Sequence, residues 1–224
     1  MTSATTGGVQ RRRRRADAGV VRASARDLEL LRFVGEQYAV TLPQLASLMG
    51  RSEHAARWLR SRWQRAGWAQ GRALLVGEPV FVWLTRRGLR AAGLPYRAWR
   101  PSPGGLAHVV AVNEVRIELA ERRPEAGWVC ERELAREART ELGGFGAHRP
   151  DGLVLVHGGE VAVEVELTLK RRGRVERVMR EHVARYGQVW YFAPPRLRRA
   201  LEEAAAGFPA DRVRVLPLFG EEGA

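Results

Sequence analysis

Residues 148–170, HRPDGLVLVHGGEVAVEVELTLK, constrain this chain more than any other stretch. The run GLVLV after Asp151, the turn residues His157, Gly158 and Gly159, and the run VAVEVELTL read as two β-strands joined in a hairpin. Strand side chains alternate between faces. Val163, Val165, Leu167 and Leu169 then face one way, and Glu164, Glu166, Thr168 and Lys170 the other. Acidic residues are poor strand formers, and neighbouring carboxylates repel, so burying them requires a cation or another partner. Asp151 brings a third carboxylate from the adjacent strand. A divalent metal ion is the sharpest candidate for the compensating charge.

The rest of the chain is divided by charge. Of 224 residues, those at 1–103 carry 19 arginines against 6 acidic residues, while those at 104–224 carry 19 basic and 19 acidic residues, so the whole net charge of +13 lies in the first half. Such segregation points to a polyanion-binding module joined to a neutral one, and nucleic acid is the polyanion expected. The hydrophobic fraction of 45% suffices for a core in one large or two small domains. No apolar run approaches the roughly 20 residues that cross a bilayer, so no membrane partner is expected. The N-terminal stretch has basic residues with no apolar run behind them, unlike a secretory signal, and a cytoplasmic protein is the expectation. Cys130 is the only cysteine, which excludes an intramolecular disulfide framework and a cysteine-rich zinc site.

Residues 1–22 are small and polar, then run into five consecutive arginines. They are expected to form a disordered basic tail that touches phosphates without sequence preference. Helical patterning begins at Ser24, which with Asp27 resembles a capping box, and continues to about Tyr38. Thr41 and Gln44 open a second helix that Gly50 ends; Ser52 opens a third that stops at Gly67. Ala56, Leu59, Trp63 and Ala66 share one face of the third helix, and Arg51, His54, Arg57, Ser61 and Arg65 the other. Two strands over residues 68–85 and a short helix complete the plan of a winged helix-turn-helix over residues 23–93. In that plan the third helix enters the major groove and the wing touches the backbone. Arg51, His54, Arg57, Arg65 and, on the wing, Arg72 are the DNA-contact candidates.

Residues 94–105, rich in Pro and Gly, read as a linker in which Trp99 pins the chain to a neighbour. The second domain is expected over residues 106–220: a helix ended by Pro124, a strand at 128–133, a glycine-broken loop at 137–147, the acidic hairpin, a basic helix at 171–186, a strand, a helix and a last strand. The fold class is α+β or α/β in two domains.

This order, αβββαβ, with Pro150-Asp151 and the acids Glu164 and Glu166, resembles the PD-(D/E)xK nuclease-like, or restriction-endonuclease-like, core. The resemblance implies that Asp151 and Glu164 hold Mg²⁺ or Mn²⁺, with Glu166 and the helix acid Glu114 completing the ligand set. Glu166 stands where that motif has lysine. Lys170, the only lysine beside 37 arginines, is then the replacement, and Asp151, Glu164, Glu166 and Lys170 are the candidate catalytic residues. Arg171 and Arg174 are placed to hold a phosphate. His108 is a lesser candidate, since a lone histidine on a helix is more often structural. The winged helix, the WLTRRGLRAAG segment, the Pro-rich linker, PDG and EVELTLK together resemble the replication-relaxation family over roughly residues 25–195. That implies double-stranded DNA as partner, in plasmid or mobile-element replication. Helix-turn-helix proteins commonly bind paired half-sites as dimers, so a homodimer is a further expectation. Three functional classes stay open: a metal-dependent DNA endonuclease; a non-catalytic DNA-binding protein whose acids pair with Arg149, Arg171 or Arg174; and a regulator whose second half senses a ligand.

Overall fold

The computed structural model describes residues 22–140 and 148–219. The arginine run and Gly143, Gly144 and Gly146, on which the tail and part of the loop expectation rest, lie outside the described residues.

Capping residues set the first helices. Ser24 caps α1 (Ala25–Glu36) in a reciprocal box with Asp27. A short strand, β1 (Ala39–Thr41), follows; three residues are too few for hydrophobic alternation to reveal it. Thr41 and Gln44 form a second box on α2 (Leu42–Met49), which ends at Gly50 with φ 59°. Ser52 caps α3 (Glu53–Arg65). Then come β2 (Ala69–Ala73), β3 (Val80–Leu84) and α4 (Arg86–Ala91). Both neighbours of β3 are antiparallel to it, in the order β1-β3-β2. Leu31, Val34, Leu45, Ala56, Trp63 and Val82 fill the core under this sheet.

Gly88 lets α4 lie directly on the chain at Trp68: a Cβ here would sit 2.0 Å from the Trp68 carbonyl oxygen. Gly88→Ala should therefore cost about 1–3 kcal/mol through overpacking, although alanine is the better helix former. Urea unfolding checks this; a stability equal to wild type would mean that α4 shifts at no cost.

The second half runs α5 (Leu106–Arg122), β4 (Gly127–Cys130), α6 (Glu131–Thr140), β5 (Gly152–Val156), β6 (Gly159–Val165), α7 (Arg172–Tyr186), β7 (Gln188–Ala193), α8 (Pro195–Ala205) and β8 (Val213–Pro217). Its sheet has the order β4-β5-β6-β7-β8, antiparallel across β4-β5-β6 and parallel across β6-β7-β8. The described chain is thus mixed α/β with eight helices and two sheets. No helix among the described residues is long and apolar enough to cross a membrane.

Two boundaries differ from the sequence expectation. The strand expected at 128–133 stops at Cys130, and Glu131 opens α6, which runs to Thr140 through the first four residues of the expected loop and interrupts the expected αβββαβ order. Residues 131–140 are nearly all strong helix formers, and they dock on the first half: Arg132 donates to the Gly35 carbonyl at 2.6 Å and lies between the rings of Tyr38 and Tyr96. The second strand of the hairpin stops at Val165 instead of Leu169. The last ladder bond runs from Glu166 N–H to the Phe192 carbonyl at 2.9 Å. Beyond it the chain leaves the sheet, and Leu169 is 68% exposed.

The sheet's two faces bury different helices. Val154, Val161, Val163, Val165, Trp190 and Phe192 pack on α5. Leu153, Ala162, Val189, Tyr191 and Val213 pack toward α7 and α8. Glu164 shares the parity of Ala162, and so lies on the α7 side.

The halves are also joined by polar contacts. Asn113 donates to the Ala39 carbonyl at 2.7 Å, Gln44 to the Val110 carbonyl at 2.9 Å, and Arg116 pairs with Glu36 at 2.6 Å. Residues 94–105 lie against this junction: Trp99 packs on Trp83 and Tyr38, and the Tyr96 hydroxyl donates to Glu133.

Candidate functional site

One row across the second sheet gathers the acids. The register pairs Gly152 with Val163 and Glu164 with Tyr191. Continued by one residue, where Asp151 N–H donates to the Val163 carbonyl at 2.9 Å, it sets Asp151 opposite Glu164. Asp151, at the entrance to β5, therefore stands opposite Glu164 on β6, and Glu164 stands beside Tyr191 on β7. Glu164 and Glu166 are each 5% exposed.

Histidines meet these acids. His182, 1% exposed on α7, donates from Nε2 to Glu164 Oε1 at 2.7 Å. His148 Nε2 lies 3.2 Å from the same oxygen. His108 Nε2 donates to Asp151 Oδ1 at 2.8 Å, and the Val165 N–H donates to Asp151 Oδ2 at 2.7 Å. Lys170 turns back after the strand ends and pairs with Glu166 Oε2 at 2.7 Å. It reaches the acids through a bend, not along a strand face. Among the described residues, the side chains that pair with these acids are thus histidines and the lysine, in place of the expected Arg149, Arg171 or Arg174. Arg171 and Arg174 are exposed at the start of α7.

Electrostatics drive the two neighbouring carboxyls apart. Burial raises the Asp151 pKa, the Glu164 charge adds to this, and the His108 bond opposes it. Burial also works against ionised Glu164, but its bonds to His148 and His182 more than reverse that and hold it below the usual range. Asp151 raises the pKa of His108, and Glu164 that of His148, each mainly by hydrogen bonding. The Tyr191 phenol is pushed up by burial and then by the charges of Glu164, Glu166 and Asp151, so it stays protonated. Among the described residues its hydroxyl has no hydrogen-bond partner.

Glu114 does not join the acids. It is exposed and approaches Gln44 Nε2 at 3.5 Å. Six residues along the helix turn it about 120° away from His108, which faces Asp151, and raise it by about 9 Å. The all-oxygen set that Mg²⁺ prefers is therefore not what these side chains offer. Both Asp151 oxygens accept hydrogen bonds, Lys170 holds Glu166, and imidazole nitrogens surround Glu164.

His148 and His182 were not among the candidates drawn from the sequence. One signal existed for His182: it shares the inward face of α7 with Val175, Val178 and Met179, all buried. A histidine there needs a partner across the core.

On the first half, Arg51 is exposed just before α3, His54, Arg57 and Arg65 are exposed along it, and Arg72 is exposed on β2. Arg57 pairs with Glu53 at 3.1 Å, a half-exposed contact of little strength. Arg72 lies 5.9 Å from the Trp83 ring centroid. Trp58 was missed. It is 64% exposed in the same stretch of α3, off the buried face of Ala56 and Trp63.

Compared with known protein families and with curated proteins, the sequence matches none.

Proposed function

We propose that this protein binds double-stranded DNA through α3 and the β2–β3 hairpin, as a winged helix-turn-helix does. The observation that carries this is the outer face of α3. Ala56, Trp63 and Ala66 lock its inner face into the core, while Arg51, His54, Arg57, Arg65 and the large ring of Trp58 stay in solvent. Arginines can clamp phosphates or pair with guanine edges, and an exposed tryptophan has an apolar face to offer a base or sugar. The arrangement of β1, β2 and β3 around α2 and α3 supports the winged reading, as does the basic first half. A second copy of the chain on a paired half-site belongs to the same proposal. We further propose, on the resemblance of its motifs to the replication-relaxation family, that this binding serves plasmid or mobile-element replication.

Fluorescence anisotropy with a short duplex across a salt series tests this. Arg57→Ala and Arg65→Ala should each weaken binding and lower the slope of log K against log salt by about one. Trp58→Ala should weaken binding with the slope unchanged. Unchanged affinity in all three removes α3 as the DNA-binding element.

A second reading, phosphodiester cleavage by a nuclease-like second half, is favoured by one specific arrangement. Asp151 and Glu164 stand on neighbouring strands, and Lys170 returns to Glu166, the position at which the resembling motif carries its lysine. Lys170 and the exposed Arg171 would hold a phosphate beside the acids. Without cleavage, the same half serves as a docking or dimerising module.

A further inference from the structure

We infer that His148, Glu164 and His182 form a binding site for one divalent first-row transition ion, of the class of Mn²⁺, Co²⁺ or Zn²⁺, with Mg²⁺ disfavoured. This deepens the cleavage reading by naming the ion its centre would hold, but it rests on the geometry of three side chains and is tested without DNA.

The three residues come from different places in the chain: the approach to β5, strand β6 and helix α7. A ligand atom from each lies within 4.8 Å of the others. Both imidazoles bring Nε2 to the Glu164 carboxylate: His182 bonds Oε1 at 2.7 Å, and His148 lies 3.2 Å from Oε1 and bonds Oε2 at 3.4 Å. Ligands about 2.1 Å from a shared ion sit roughly 3 Å apart, so side-chain rotations that bring the three atoms to that spacing would admit the ion. Any Nε2 proton shared with the Glu164 carboxylate would leave or move to Nδ1, since a metal ligand must present a lone pair. Glu164 and His182 are buried, whereas the His148 side chain is 35% exposed, which gives the ion one open side for entry.

The Tyr191 hydroxyl is a second, independent observation. It is buried and without a hydrogen-bond partner among the described residues, on the strand beside Glu164 and in register with it. Buried hydroxyls nearly always find partners, so an unpaired one beside the cluster suits a ligand or metal-bound water that completes the site. Two imidazoles and one carboxylate select borderline transition ions. Mg²⁺ demands near-octahedral oxygen ligation.

The test uses the full chain, stripped with chelator and titrated with MnCl₂, CoCl₂ and MgCl₂ by calorimetry. Bound Mn²⁺ is counted by its paramagnetic resonance, and Co²⁺ coordination is read from its visible absorption. The expected result is one Mn²⁺ or Co²⁺ per chain, bound at least about 10-fold more tightly than Mg²⁺. His148→Ala, a change at a partly exposed position, should weaken Co²⁺ binding by about 10-fold or more and alter its spectrum. Addition of Mn²⁺ should broaden the imidazole proton resonances of His148 and His182 before those of His54 and His157, which supplies the arm for His182 should its alanine variant fail to fold. Substoichiometric binding, Mg²⁺ binding as tightly as Co²⁺, or wild-type Co²⁺ affinity in His148→Ala would overturn the inference. Cleavage that survives in His148→Ala with Mg²⁺ would overturn it while leaving the cleavage reading standing; a bound ion without cleavage supports it and removes that reading.

Discussion

On the proposed cleavage reading, Glu164→Gln and Asp151→Asn should each lower metal-dependent nicking of supercoiled plasmid by about 10³-fold, a loss of roughly 4 kcal/mol of transition-state stabilisation. Both changes keep side-chain shape and remove charge. Glu164 is the acid on which two imidazoles converge, and Asp151 stands beside it under His108. A nuclease-like centre would lose its ligand charge in either variant. Duplex affinity should stay equal or rise, because each change deletes a negative charge and neither touches α3. The measurement is conversion of closed circles to nicked or linear DNA with Mn²⁺ and with Mg²⁺, beside anisotropy on the same samples. A wild-type protein that binds tightly and salt-sensitively yet leaves circles closed with both ions would end the cleavage reading. The acids and histidines would then belong to a docking or regulatory half.

Asp27→Ala should destabilise the fold by about 3–5 kcal/mol, the range for breaking a buried, paired charge. Asp27 is almost fully buried beneath α3. It accepts from the Ser24 N–H at 2.9 Å, the Ser24 hydroxyl at 2.7 Å and the Trp63 indole N–H at 2.9 Å, and pairs with Arg62. Alanine would leave the indole donor without its acceptor in the core and would break the capping box of α1. Arg62 is partly exposed and can rehydrate, so most of the loss comes from the buried donors. For a chain of this size, such a loss lowers the melting midpoint by roughly 10 °C. The acid limb has a defined sign. Burial alone raises the Asp27 pKa, but the bonds from Trp63 and Ser24 and the charge of Arg62 more than reverse this, and the folded value lies below 3.8. The stabilisation from ionised Asp27 is therefore complete above the unfolded value of about 4 and disappears as pH falls through the folded value. Asp27→Asn should flatten that limb of the stability profile. Equal acid slopes for wild type and Asp27→Asn would assign the limb to other carboxylates.

The structure has a simple division between what local chemistry specifies and what it does not. Ser24-Asp27, Thr41-Gln44, Gly50 and Ser52 act within a few residues of themselves, so the helix boundaries of the first half are legible from the chain. The same holds for the hairpin turn at Gly158, whose φ of 99° suits glycine. β1 is not legible, because three residues become a strand only when β3 supplies a partner. Nor is α6, whose sparse apolar pattern is set by docking of Arg132 on Gly35 and of Leu134 in the sheet core. Ion pairing at Glu166 follows the same logic. Alternation would carry Lys170 along a strand, whereas the end of sheet pairing after Val165 frees the chain to fold back.

Of the site, the sequence by itself determined the acids. Carboxylates at Asp151, Glu164 and Glu166 on flanking strands had to be compensated wherever the hairpin lay, because buried charge is costly at any position in a fold. It also determined the basic outer face of α3, since helical periodicity alone separates that face from Ala56 and Trp63. Only the tertiary structure decided what compensates the acids. His108, His148 and His182 lie 43, 16 and 18 residues from the carboxylates they meet. No periodicity spans such distances. The sheet register sets Asp151 beside Glu164 and Tyr191, and the packing of α7 on that face delivers His182 to the same row. The acids are a local property of one hairpin, and their partners are a property of how two helices, α5 and α7, and the segment before β5 are assembled around it.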